Sequence, residues 1–115
     1  FVGNGSLVMP NSVIGANVTV GDFSIIGNLS CIGHDSTVGR YSSLNPGAIL
    51  AGNVQLGSSS TIGLGARVLE KVRIGDNVIV GANSLLNCDI DNNTVVYGNP
   101  ARVQRKRKQD DSYLR

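Results

Sequence analysis

At 115 residues the chain is long enough for one domain and too short for two ordinary ones. Fifteen Gly, no Trp and only 4% aromatics exclude a globule packed around large rings; Gly interspersed with Val, Ile and Leu suits a stacked, turn-rich β architecture. The formal charge of +2 is unevenly placed: Arg102, Arg105, Lys106, Arg107, Lys108 and Arg115 face only Asp110 and Asp111 in the last stretch, so the body is slightly acidic and the tail basic. No apolar run approaches the roughly 18 residues of a membrane span, and neither a membrane partner nor a signal peptide is expected. Cys31 and Cys88 have no metal-ligand spacing and form no disulfide framework, so a cytoplasmic location and no metal are expected. The first residue is Phe1 rather than Met, which leads us to expect a piece of a longer protein.

Read in chain order, the elements repeat every six residues. Val8, Ile14, Val20, Ile26, Ile32, Val38, Leu44, Leu50, Leu56, Ile62, Val68, Ile74, Val80 and Leu86 are fourteen unbroken aliphatic positions, beyond what chance supplies. Gly follows nine of them, and a small or medium residue stands four positions on, from Ser12 through Val18, Ser24 and Ser30 to Ser84. That residue lies two before the next aliphatic one, so both point to the same side of a strand. Val18 and Val20 are predicted to face in and Thr19 out. Each hexapeptide is then a short strand and a turn, and the Gly is expected to relax the backbone at the corner.

Three hexapeptides close a triangle, so one coil takes 18 residues. Val8, Ile26, Leu44, Ile62 and Val80 should form one buried column with strands about 4.8 Å apart. Residues 8–97 make about five coils of an all-β, single-domain solenoid. The six-residue step fails after Leu86 and resumes at Ile90 and Val96, which predicts a disturbed closing coil. Residues 103–115 are polar and aperiodic, and a frayed tail is expected there. The division is therefore 1–102 for the solenoid and 103–115 for the basic tail.

The chemistry centres on the single histidine, His34, which sits on a corner with Asp35 beside it. Its neighbours one coil away are Ala16 and Gly52. Gly52 leaves a gap beside the ring, where a substrate carbonyl could reach a backbone N–H. A neutral imidazole with a carboxylate partner is a suitable general base near neutral pH. On position alone, an exposed turn histidine is an equal reading.

The stretch Ile32-Gly33-His34-Asp35, then Gly39-Arg40-Tyr41-Ser42-Ser43-Leu44-Asn45-Pro46-Gly47-Ala48 and Leu50-Ala51-Gly52-Asn53-Val54, resembles the hexapeptide sugar acetyltransferases. The relevant members are those related to sialic acid O-acetyltransferase and to the N-acetyltransferase acting on UDP-4-amino sugars. Tyr97-Gly98-Asn99-Pro100-Ala101-Arg102 is similar to their closing motif, so the resemblance covers residues 1–102. It implies a left-handed parallel β-helix of hexapeptide repeats, acetyl-CoA as co-substrate, a sugar-type acceptor carrying an amine or hydroxyl, and a homotrimer with sites between neighbours. It implies His34 as general base, Asp35 as its support and Gly52 as the N–H that binds the acetyl carbonyl. Ser43, Leu64 and Ala82 fall on positions that contact coenzyme A.

Two departures stand out. The asparagine that the family carries seven residues before the histidine falls on Gly27, with Asn28 beside it. The α/β domain that usually precedes the helix is not in this sequence. A γ-class carbonic anhydrase shares the solenoid but needs three histidines for zinc, and this chain has one. A non-catalytic trimeric scaffold that has lost its sugar-binding domain is the second reading. Nucleic-acid binding rests only on the run Arg105–Lys108 without an aromatic platform, so no nucleic-acid partner is expected.

Overall fold

The computed structural model describes residues 1–108. The chain forms a parallel β-helix with left-handed coils of three two-residue strands. Face I carries β1 (Leu7–Val8), β4 (Ile25–Ile26), β7 (Ser43–Leu44), β10 (Thr61–Ile62) and β13 (Ile79–Val80), and ends in β15 (Thr94–Gly98) and β16 (Ala101–Lys106). Face II carries β2 (Val13–Ile14), β5 (Cys31–Ile32), β8 (Ile49–Leu50), β11 (Arg67–Val68) and β14 (Leu85–Leu86). Face III carries β3 (Thr19–Val20), β6 (Thr37–Val38), β9 (Gln55–Leu56) and β12 (Arg73–Ile74).

Register follows the 18-residue step throughout: Ile26 pairs with Leu44, Leu44 with Ile62, and Ile62 with Val80. The inward aliphatic residues are buried because each lies between equivalents one coil above and below. Ile26, Ile32, Leu44, Leu50 and Ile62 are all fully enclosed. The first of the series differ. Val8 is 44% exposed and Ile14 only half-buried, because little of the chain stacks beyond them at that end. Burial of the aliphatic column therefore begins at Val20.

Serines form a second ladder beside the aliphatic one. Ser24, Ser42 and Ser60 are buried. Their hydroxyls donate to the carbonyls of Gly39, Gly57 and Gly75 and accept the N–H groups of Ser42, Ser60 and Val78. Each hydroxyl is thus used as donor and acceptor, which makes a polar atom tolerable inside a thin core.

One expectation about the backbone is corrected. The Gly after each aliphatic residue keeps an ordinary φ. The left-handed residue comes two positions later, at Asn11, Asn17, Asp35, Asn53, Asn77 and Asn83 among others. Asn and Asp tolerate that conformation better than most side chains. The Gly is needed for close approach instead. A Cβ on Gly33 would lie 2.6 Å from the Ala51 carbonyl carbon and 2.8 Å from the Gly52 nitrogen, because neighbouring coils touch there backbone to backbone.

The closing coil is shortened as expected: Ile90 bridges Ile74 and Val96 pairs with Val80, both sixteen residues apart. The start of the expected frayed tail is instead ordered. Residues 103–106 belong to β16, which runs antiparallel to β15. The unpaired edge of β15 offers backbone groups that a returning strand satisfies, so a largely polar sequence is recruited by main-chain bonding, with Ala101 at its start buried against the core. The rest of that expectation, over residues 109–115, lies outside the described residues. Among the described residues, no helix is long and apolar enough to cross a membrane.

Candidate active site

His34 and Asp35 occupy the corner between faces II and III, immediately after β5. Asp35 takes φ 59°, and its N–H donates to the Ala16 carbonyl at 2.9 Å. The His34 carbonyl accepts the Asn53 N–H at 2.8 Å. The corner is therefore tied to the coils on either side, and both side chains leave it toward solvent.

The imidazole Nδ1 lies 3.0 Å from Asp35 Oδ2, and the side chains are 59% and 48% exposed. An ionised carboxylate only accepts, so this contact assigns the ring proton to Nδ1 and leaves the Nε2 lone pair free. The bond from His34 and, after it, one from the Asn17 amide hold the Asp35 carboxyl below the usual carboxylate range. The folded-state value is depressed, so this stabilisation is present above the ordinary carboxylate range. It is lost as pH falls through the lowered Asp35 value.

Gly52, one coil from His34, lies directly under the ring: a Cβ there would strike Nε2, at which the reactive lone pair sits. The Gly52 N–H has no acceptor among the described residues. The corner between faces III and I shows what such an N–H binds. The equivalent groups of Asn4, Ser58 and Asp76 donate to side-chain oxygens of Asp22, Asp76 and Asn92 at 2.8, 2.8 and 2.7 Å. An N–H at this register position is thus aimed one coil on, which at Gly52 is the side of Glu70, while the Gly52 α-carbon faces the His34 ring one coil back. A free N–H donor and a basic nitrogen therefore share this corner, and acyl transfer to an amine or alcohol uses both.

Gly52→Ala tests this arrangement separately from the fold. Gly52 keeps an ordinary φ, and the atoms the new methyl meets belong to a partly exposed imidazole that can swing away. The variant should fold with its melting temperature changed by only a few degrees, while any transfer activity falls at least tenfold. Paired calorimetry and turnover measurements check this; full activity would remove Gly52 from the site.

The other expected site residues lie elsewhere on the same chain. Ser43 is on β7 of face I, facing outward, with its hydroxyl 3.2 Å from that of Thr61. Leu64 and Ala82 are exposed at the corner between faces I and II, stacked on adjacent coils. The Ala82 N–H has no acceptor among the described residues. His34, Asp35 and Gly52 therefore come together, whereas Leu64 and Ala82 stack at the other corner of face II and Ser43 lies on a strand of face I. Asn17 was not singled out by sequence; its only signal is that it stands 18 residues before Asp35.

The family described as Bacterial transferase hexapeptide (six repeats) matches residues 1–34. No curated protein matches the chain. Among solved structures, the acetyltransferase domain of PglB from Neisseria gonorrhoeae is 34% identical with a TM-score of 0.89, over 90% of this chain and 50% of that one. The same domain in complex with acetyl coenzyme A aligns at 28% identity and a TM-score of 0.66, over 86% and 54%. A perosamine N-acetyltransferase from Caulobacter crescentus, in complex with CoA and GDP-perosamine, aligns at 30% identity and a TM-score of 0.63, over 87% and 53%. The chain is thus similar in repeat and in fold to hexapeptide acetyltransferases, and it spans about half the length of those it matches.

Proposed function

We propose that the chain is the catalytic domain of an acetyltransferase that moves the acetyl group of acetyl-CoA to an amine or hydroxyl of a sugar or nucleotide-sugar acceptor. The observation that carries this reading is the free Nε2 of His34 standing over Gly52, with Nδ1 held by Asp35. Likeness to acetyltransferases with CoA and with a nucleotide sugar supports the choice of donor and acceptor class.

In the proposed reaction the thioester carbonyl accepts a hydrogen bond from the Gly52 N–H. The acceptor nitrogen or oxygen attacks the carbonyl carbon while His34 Nε2 takes its proton. The negative charge that develops on the carbonyl oxygen rests on the N–H, and collapse of the intermediate expels the CoA thiolate, to which His34 returns the proton. No covalent enzyme intermediate is needed. Cys31 points outward on β5, before the corner that carries His34, and Cys88 is exposed in the closing coil.

A homotrimer is part of this proposal, because Leu64 and Ala82 sit on a different corner of the chain from His34, Asp35 and Gly52. A neighbouring copy that presents its Leu64 and Ala82 corner to the His34 corner would complete the site. The outward residues support association: Val13, Leu29, Leu64 and Ile25 leave apolar surface on faces I and II and their shared corner, while face III presents Thr19, Thr37, Gln55 and Arg73. Sedimentation equilibrium at micromolar concentration should give about three times the 12.0 kDa chain mass. A value at the chain mass itself would overturn the trimer. Release of free thiol from acetyl-CoA in the presence of a panel of amino sugars and alcohols tests the activity. A folded trimer that binds no coenzyme A would favour the scaffold reading.

A further inference from the structure

We propose that Lys71 is a self-acetylation site: with acetyl-CoA bound and no acceptor present, its ε-amine takes the acetyl group itself. This rests on the acetyltransferase reading and adds to it an acceptor built into the chain. Glu70 and Lys71 form the turn of the His34 corner one coil beyond Gly52. The two coils are joined there by the Lys71 N–H, which donates to the Gly52 carbonyl at 3.0 Å. By its register the Gly52 N–H is aimed to that side as well. A thioester carbonyl resting on it would therefore lie next to the Glu70–Lys71 turn.

Reach decides whether the amine can attack. Successive coils are about 4.8 Å apart, and a lysine stem of five bonds carries its nitrogen roughly 6 Å from the Cα. The stem is long enough to bring the amine to an acetyl carbon seated at Gly52, beside His34 Nε2. Lys71 is exposed, and among the described residues no carboxylate pairs with it, so its charge is not held elsewhere. Lys71 is also unusual for its position. It takes φ 66°, whereas the equivalent residues on the three coils before it are Asn17, Asp35 and Asn53, types that tolerate the left-handed region better than a long side chain does.

In the step, the neutral amine of Lys71 attacks the thioester carbonyl carbon and forms the C–N bond, while the negative charge on the carbonyl oxygen rests on the Gly52 N–H. His34 Nε2 takes the proton from the nitrogen. Collapse breaks the C–S bond, and the thiolate leaves with that proton as free coenzyme A. The products are Nε-acetyl-Lys71 and one thiol per chain, with no oxidant or second donor required. The nitrogen is then an amide, so each chain reacts once.

The chain carries its own control, because its other lysines, Lys106 and Lys108, lie in β16 and just beyond it, at the closing end of face I. The folded full chain is incubated with deuterium-labelled acetyl-CoA and no acceptor, and the label is located by peptide mass spectrometry alongside thiol release. Label should build up on Lys71 about tenfold or more faster than on Lys106 or Lys108, because only Lys71 is held beside the bound thioester. His34→Ala should remove that preference, and Lys71→Arg, which keeps the charge, should remove the acceptor-free thiol release. Equal labelling of the three lysines, or labelling of Lys71 undiminished in His34→Ala, would overturn the proposal. Thiol release with amino sugars or alcohols but no label on Lys71 also overturns it, and leaves the acetyltransferase reading standing. Label on Lys71 without turnover of any such acceptor supports the proposal and removes the sugar acceptor from that reading. Neither label nor thiol release overturns both.

Discussion

Substitution of Ile62 by Asp should abolish soluble expression of the chain. Ile62 lies on β10 in the middle of the face I column, fully buried, between Leu44 and Val80. Its neighbours along the column are aliphatic, and the hydroxyls of the serine ladder are already committed to backbone groups. A carboxylate there would be either ionised without a partner or protonated without an acceptor, at a cost of several kcal/mol. Domains of this size hold only about 5–15 kcal/mol of net stability. The solenoid also cannot bypass the fault, because each coil uses its neighbour as the floor for its own aliphatic residues. The contrasting variant is Thr61→Asp, one residue away and facing outward, which should remain soluble. Comparing soluble yield and circular dichroism of the two variants reads the register directly. A folded Ile62→Asp chain would mean that the inward face has been misassigned.

His34→Ala should reduce turnover about 10²–10⁴-fold, the range for loss of a positioned general base, while leaving coenzyme A affinity nearly unchanged. The split follows from the geometry. The imidazole meets the acceptor and the acetyl carbon, whereas the proposed cofactor contacts lie on a strand of face I for Ser43 and at the corner between faces I and II for Leu64 and Ala82, where Ala82 offers a free N–H. His34 is also partly exposed and on a corner, so its loss removes no core packing. Calorimetric titration with coenzyme A and a thiol-release assay measure the two halves independently. Full activity in His34→Ala, with a good acceptor present, would dismiss His34 as the base without touching the fold. Absence of coenzyme A binding by the wild type at millimolar concentration would instead sink the enzyme reading as a whole.

Much of this architecture was legible from sequence because a solenoid is local. Each buried residue is six positions from the next and eighteen from the one it stacks on, so one period specifies strand, facing and neighbour together. The series from Val20 to Leu86 behaves that way, and even the interruption before Ile90 was visible as a missed step. The same arithmetic put Gly52 beside His34. The hand of the coils was not in the spacing, since a right-handed helix would place the same residues inside; it came from family resemblance.

What the tertiary structure decided lies where period and environment part. Val8 and Ile14 carry the repeat but are not enclosed, because burial depends on coils on both sides and not on the residue alone. Ala101–Lys106 lacks the repeat and is nonetheless a strand, because the open edge of β15 bonds to backbone irrespective of side chain. The Gly positions stand out in the sequence, but the reason, backbone contact between coils rather than a left-handed φ, lies in the stacking of the coils. The site divides in the same way. Sequence supplies His34, Asp35 and Gly52, since their spacings of one and eighteen residues translate into contact. It could not supply the direction of the Nδ1 bond or the exposure of the His34 and Asp35 side chains. Those depend on where side chains and corners point in three dimensions, and a one-dimensional period carries no such information.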